Sequence, residues 1–130
     1  MSAENYFVAD CLFCKIAAGQ IPSKTVYQDE DVLAFQDIQP QAPYHVLIVP
    51  RRHVANSLSD LKRADEQILL RLFDAARQIA RELGITQSGY RLVTNNGPEA
   101  GQSVFHLHFH LLGGAPLGLF GAPRRSSADE

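Results

Sequence analysis

The chain has 130 residues, 45% of them apolar and 20% charged, which is the size and composition of one globular domain with its own core. Its 12 Lys and Arg against 14 Asp and Glu leave a net charge of -2, without the basic excess expected of a nucleic-acid binder. No apolar run approaches the roughly 20 residues that cross a bilayer, and residues 1–10 carry acids but no base, unlike a secretory leader. The expectation is a cytoplasmic protein with neither nucleic-acid nor membrane partners.

Residues 1–10 read as a flexible N-terminus. Cys11 to Ala18 reads as a short helix with Asp10 as N-cap, Cys11, Leu12 and Ile16 facing inward, and Gly19 and Pro22 ending it. Thr25–Tyr27 and Val32–Phe35 read as strands around the acidic turn Asp29-Glu30-Asp31. Gln39–Pro43 is a loop with two prolines, and His45–Val49 is a buried strand ended by Pro50. Arg51 and Arg52 read as solvated charges.

A long helix is predicted to start between Ser59 and Lys62. Leu61, Ala64, Ile68, Leu72, Ala76, Ile79 and Leu83 paint one stripe, and Gly84 ends it. Gly89–Thr94 reads as a strand, Asn95–Ser103 as a glycine-containing loop and Val104–Leu112 as a strand closed by Gly113-Gly114. The tail from Ala115 to Glu130 is expected to be extended and, from Arg124, disordered. The fold class is α+β, with a mostly antiparallel sheet.

Three of the five histidines fall in His106-Leu107-His108-Phe109-His110. On a strand these rings share one face while Leu107, Phe109 and Leu111 take the other. Such a row suits a catalytic metal, or a nucleophile with neighbours that fix its tautomer. The preceding Gly97, Gly101, Gln102 and Ser103 offer backbone N–H groups and a hydroxyl to an anion. A nucleophilic histidine beside an anion-holding loop points to attack on phosphorus.

The run His106-Leu107-His108-Phe109-His110-Leu111-Leu112 resembles the signature of the histidine triad nucleotide-binding superfamily. Asp37-Ile38-Gln39-Pro40-Gln41-Ala42-Pro43, His45 to His53, Gly101-Gln102-Ser103-Val104-Phe105 and Gly113-Gly114 are similar to its Hint branch. The resemblance spans residues 11–114 and implies a HIT-like fold. That fold has a five-stranded sheet with one long and one short helix, continued across a homodimer.

It also implies a purine nucleotide substrate and a nucleoside phosphoramidase-like hydrolase. His108 would attack the α-phosphorus, form a nucleotidyl-histidine and release AMP or GMP. His110 would donate to a phosphate oxygen, and Ser103 would assist the leaving group. Asn95, Gly101 and Gln102 would line the phosphate site. Asp37 would accept from the ribose hydroxyls, and Ile38 and Phe35 would flank the base. Both apolar residues also fit a plain core role. His45 would relay a proton or orient His110, or be a satisfied structural histidine.

No catalytic cofactor is implied. The C-x-x-C resembles that of family members and related transferases that bind zinc, which implies a structural zinc on Cys11, Cys14, His53 and His106. Two buried free cysteines are the alternative. The chain lacks the tryptophan that animal Hint proteins place near the C-terminus. Three other readings compete: a dinucleoside polyphosphate hydrolase, a metalloenzyme with zinc on the triad, and a non-catalytic nucleotide-binding or scaffold protein.

Overall fold

In the computed structural model, which describes residues 7–119 and Gly121, five antiparallel strands form one sheet in the order β1-β2-β3-β5-β4. The strands are β1 (Thr25–Gln28), β2 (Val32–Gln36), β3 (Tyr44–Pro50), β4 (Tyr90–Val93) and β5 (Phe109–Gly113); the helices are α1 (Leu12–Ala17) and α2 (Gln67–Leu83). The expected ends of the chain, at residues 1–6 and from residue 122, lie outside the described residues.

β2 and β3 are apolar on both faces because both faces are covered. Val32, Ala34, Val46 and Ile48 meet Leu72, Ala75, Ala76 and Ile79 of α2, together with Leu107, Phe109 and Leu111. Leu33, Phe35, Leu47 and Val49 meet Cys11, Phe13 and Cys14 on the α1 side. The odd-numbered residues of the triad segment therefore enter the α2 core, and the histidines are left to the α1 face. At the far end, Gly114 has φ +93°, and a Cβ there would come within 2.9 Å of Pro43 and Tyr44. Only glycine lets the chain pass the loop that follows Asp37.

Several boundaries differ from the sequence expectation. The N-cap of α1 is Cys11, whose thiol accepts from the N–H of Cys14, and not Asp10. Leu12 is 44% exposed, because turning both thiols toward the sheet brings in Phe13 and Cys14 instead. α2 begins at Gln67. Residues 58–60 and 63–65 form separate 3-10 turns with extended backbone at Leu61 and Lys62 between them. Leu61 still packs on the core, but Ala64 is exposed.

β5 begins at Phe109, not Val104. Its ladder with β3 ends at the pair Ile48–Phe109, and with β4 at Val93–His110. Arg51 is not simply solvated. Its guanidinium donates to the carbonyl oxygens of Asp29 and Ala17 and to Gln28, which ties the β1–β2 turn to α1.

Candidate active site

The segment carrying His106 and His108 lies outside the ladder and is held by other bonds. Leu107 N–H donates to the Ala55 carbonyl at 2.9 Å, and the Thr94 hydroxyl donates to the His108 carbonyl at 2.7 Å. Phe13 stands edge-on to the His108 ring, with centroids 5.0 Å apart, and also to Phe35 and His106.

Ring nitrogens facing a group of known polarity have a determined tautomer. Nδ1 of His108 lies 2.7 Å from the carbonyl oxygen of His106, so it carries the proton and Nε2 keeps its lone pair. Nδ1 of His45 accepts from the N–H of Gln41 at 3.0 Å, so Nε2 of His45 is the protonated nitrogen. It donates to Nδ1 of His110 at 2.8 Å, which puts the His110 proton on Nε2. The His108 and His110 rings are 5.1 Å apart. Among the described residues no unpaired polar side-chain atom is sealed from solvent, so Nε2 of His108 and Nε2 of His110 both reach it. The two neighbouring rings thus offer a lone pair and a donor, the groups needed for attack on phosphorus and for stabilising a phosphate oxygen.

Burial keeps these rings neutral. His110 is pushed down to about 4 by desolvation and by its histidine neighbours. His108 and His45 are lowered by desolvation, against an opposing pull from Asp37. Asp37 accepts from the N–H of Gln39 with Oδ1. Its Oδ2 is 3.5 Å from Nε2 of His45, which leaves carboxylate lone pairs for further donors.

The other sequence candidates divide. Ser103 is exposed and Asn95 half-buried. Phe35 is 4% exposed and belongs to the core, while Ile38 is 95% exposed. Gly101 and Gln102 give their N–H groups to the carbonyls of Pro98 and Gly97. The Gln102 side chain is wholly engaged: it accepts from Gly97 N–H and donates to the carbonyls of Asn56 and Val104. Thr94, Phe13 and Asn56 escaped the sequence reading. Phe13, between the two cysteines, was the one with a signal, because a turn that buries both thiols carries it inward.

Cys11, Cys14, His53 and His106 converge, each ligand atom within 4.8 Å of the others. Sulfur-to-nitrogen separations are 3.2 Å for Cys11–His106, 3.5 Å for Cys14–His53 and 3.6 Å for Cys14–His106. Tetrahedral zinc with its usual bond lengths requires about 3.5 Å between a sulfur and a nitrogen ligand. Both imidazoles present Nδ1 because Nε2–H is taken, by the Pro50 carbonyl at 2.8 Å for His106 and by Asn56 Oδ1 at 2.7 Å for His53. Backbone N–H groups of Val8 and Cys14 approach the two sulfurs. The donor set, the spacing and the outer hydrogen bonds all fit zinc.

Residues 18–117 match the model of the HIT domain. The chain belongs to the HIT domain family. Cys11 and Cys14 precede the matched HIT stretch. The chain is 47% identical over 109 residues to a purine nucleoside phosphoramidase of Escherichia coli, covering 84% of this chain and 91% of that protein. It is 49% identical over 109 residues to a 14 kDa zinc-binding protein of Zea mays, covering 82% and 83% of the two chains. A solved HIT family hydrolase from Clostridium thermocellum superposes with a TM-score of 0.84 at 46% identity, covering 88% of this chain and 99% of that one. These likenesses support a hydrolase and bear out the expected HIT fold. No helix among the described residues is long and apolar enough to cross a membrane.

Proposed function

We propose that this HIT protein hydrolyses purine nucleoside 5′-phosphoramidates or related nucleotide esters by covalent histidine catalysis. The observation that carries the reading is the hydrogen bond from His108 Nδ1–H to the His106 carbonyl, which leaves Nε2 free to attack. Nε2 of His108 bonds to the α-phosphorus and the phosphorus–nitrogen bond breaks. The positive charge that develops on the His108 ring is stabilised by the same carbonyl. The amine departs with a proton drawn from solvent through the exposed Ser103 hydroxyl. Water then attacks the nucleotidyl-histidine, and AMP or GMP leaves.

His110 donates Nε2–H to a phosphate oxygen, and His45 holds it in that tautomer. Asn95 and Ser103 have no side-chain hydrogen bond within the described protein, which suits them to the phosphate. Gly101 and Gln102 shape the loop. Asp37 accepts from both ribose hydroxyls, a geometry in which one carboxylate can take two donors. Ile38, exposed beside Asp37, closes over the base, with Phe35 beneath.

Cys11, Cys14, His53 and His106 would hold a structural zinc, which would tie α1 to the sheet; the chain's own imidazoles perform the chemistry. Homodimerisation proceeds through the outer edge of β4, one of the two strands that end the sheet and so can pair with a second copy. Sedimentation at twice the mass of the chain is expected, and a monomer would refute that assembly.

The test is AMP release from adenosine 5′-phosphoramidate by the native protein and by His108→Ala. Turnover confined to the native protein supports the reading. A folded native protein that binds AMP without turnover would sink the phosphoramidase reading and favour the binding-protein alternative. Preferential cleavage of a dinucleoside polyphosphate would favour the other triad branch.

A further inference from the structure

We propose that Asn56 is a positioning residue that joins the Cys/His cluster to the loop before the triad, so that metal and nucleotide strengthen each other's binding. The inference rests on the nucleotide and zinc readings given above. Its ground is one residue used at both ends. The side-chain oxygen of Asn56 accepts from His53 Nε2–H at 2.7 Å. Its backbone carbonyl accepts from Gln102 Nε2 at 2.7 Å. Gln102, 8% exposed, then fixes the loop from inside, accepting from Gly97 N–H at 2.9 Å and donating to the Val104 carbonyl at 3.1 Å.

Two further bonds stitch the same segments together. Ser59 N–H donates to Asn96 Oδ1 at 2.7 Å, and Leu107 N–H to the Ala55 carbonyl at 2.9 Å. Of the three stitches, the one at Asn56 alone reaches the ring of a cluster ligand through a side-chain hydrogen bond. His53 is half-buried, and without a fourth partner its ring can turn. A ring held by the cluster pins the Asn56 amide, and through it the carbonyl that holds Gln102. The loop beside Asn95 and Ser103 is then ordered before a nucleotide arrives. Binding to an ordered loop costs less conformational entropy, and linkage requires the effect to be reciprocal.

The experiment uses the cobalt(II)-substituted full chain, whose visible bands report the geometry at the cluster. Cobalt affinity is measured by chelator competition with and without saturating AMP, and AMP affinity by calorimetry with and without cobalt. The expected result is that each tightens the other by about tenfold and that AMP shifts the visible bands. Asn56→Ala, at an exposed position, should bind both but lose the linkage and the shift. Asn56→Asp keeps an acceptor for His53 and should restore them.

Linkage undiminished in Asn56→Ala would overturn the proposal, because it would then run through folding or through His106. Cobalt bands indifferent to bound AMP in the native protein would overturn it as well. Failure of the native chain to bind AMP at all would remove the nucleotide reading beneath it, and failure to take up cobalt the metal reading; either takes the inference down too.

Discussion

His45 donates to His110 across 2.8 Å, and the N–H of Gln41 on the far side of His45 sets the direction of that bond. Replacing His45 by Phe removes the donor while filling the space. His110 is then free to carry its proton on either nitrogen. Turnover should fall by roughly tenfold, about one hydrogen bond's worth. His110→Ala should cost more. Steady-state rates on the phosphoramidate rank the two, and an equal or reversed order would refute the orienting role.

The half-buried His110 ring makes folding sensitive to acid. His110 sits at about 4, below the 6.5 of a free histidine. Between those values the unfolded chain binds a proton that the folded chain refuses. Stability should therefore fall as the pH drops from 6.5 toward 4, by up to about 1.4 kcal/mol per pH unit from this residue. Below about 4 the contribution levels off. Urea midpoints at pH 7, 6 and 5 check this, with a shallower slope expected for His110→Phe.

Metal uptake should strengthen with rising pH. Burial pushes the Cys14 thiol up to about 11, and that proton must leave when a metal binds. Zinc affinity by chelator competition should rise up to about tenfold per pH unit for this thiol, and stripping the metal should lower the melting temperature. Affinity that is flat from pH 6 to 8 would argue against thiolate ligation by Cys14.

Asp37 tests recognition of the sugar. Asp37→Ala should raise KM for a ribonucleoside phosphoramidate and change it little for the dideoxy analogue, so that the native preference of about tenfold for ribose disappears. A preference that survives in the variant would move ribose recognition elsewhere.

Thr94→Val is nearly isosteric and deletes the hydroxyl that holds the His108 carbonyl. A stability loss of about 1 kcal/mol is expected, read from denaturant midpoints. The reaction rate should also fall, because the carbonyl being held belongs to the proposed nucleophile. A rate matching the native one would confine Thr94 to a structural part.

Residue types announced much of this molecule. Alternation placed Leu107, Phe109 and Leu111 in one core and the histidines opposite. The apolar runs of β2 and β3 read as buried strands because both faces are covered. What could not be read was carried by backbone groups. The carbonyls of His106 and Pro50 and the N–H of Gln41 set the tautomers of His108, His106 and His45, yet any residue type supplies them. The periodic stripe of α2 also extended too far back, because Leu61 reaches the core from the extended link between two 3-10 turns. The bracing bonds of the Gln102 side chain were equally hidden, because a polar side chain in a loop gives no sign of which way it turns.

His106 has three attachments: Nδ1 to the thiols, Nε2–H to Pro50, and a peptide oxygen to His108. A triad that looks like three equal letters in the sequence is therefore asymmetric in what its loss would do to a living cell. Alleles of His108 would leave normal amounts of inert protein, fit to compete with native copies for substrate. Alleles of His106 would behave as temperature-sensitive losses of the whole polypeptide, cleared by proteolysis. A genetic screen scored by growth alone would merge the two, and an immunoblot run beside it would tell them apart.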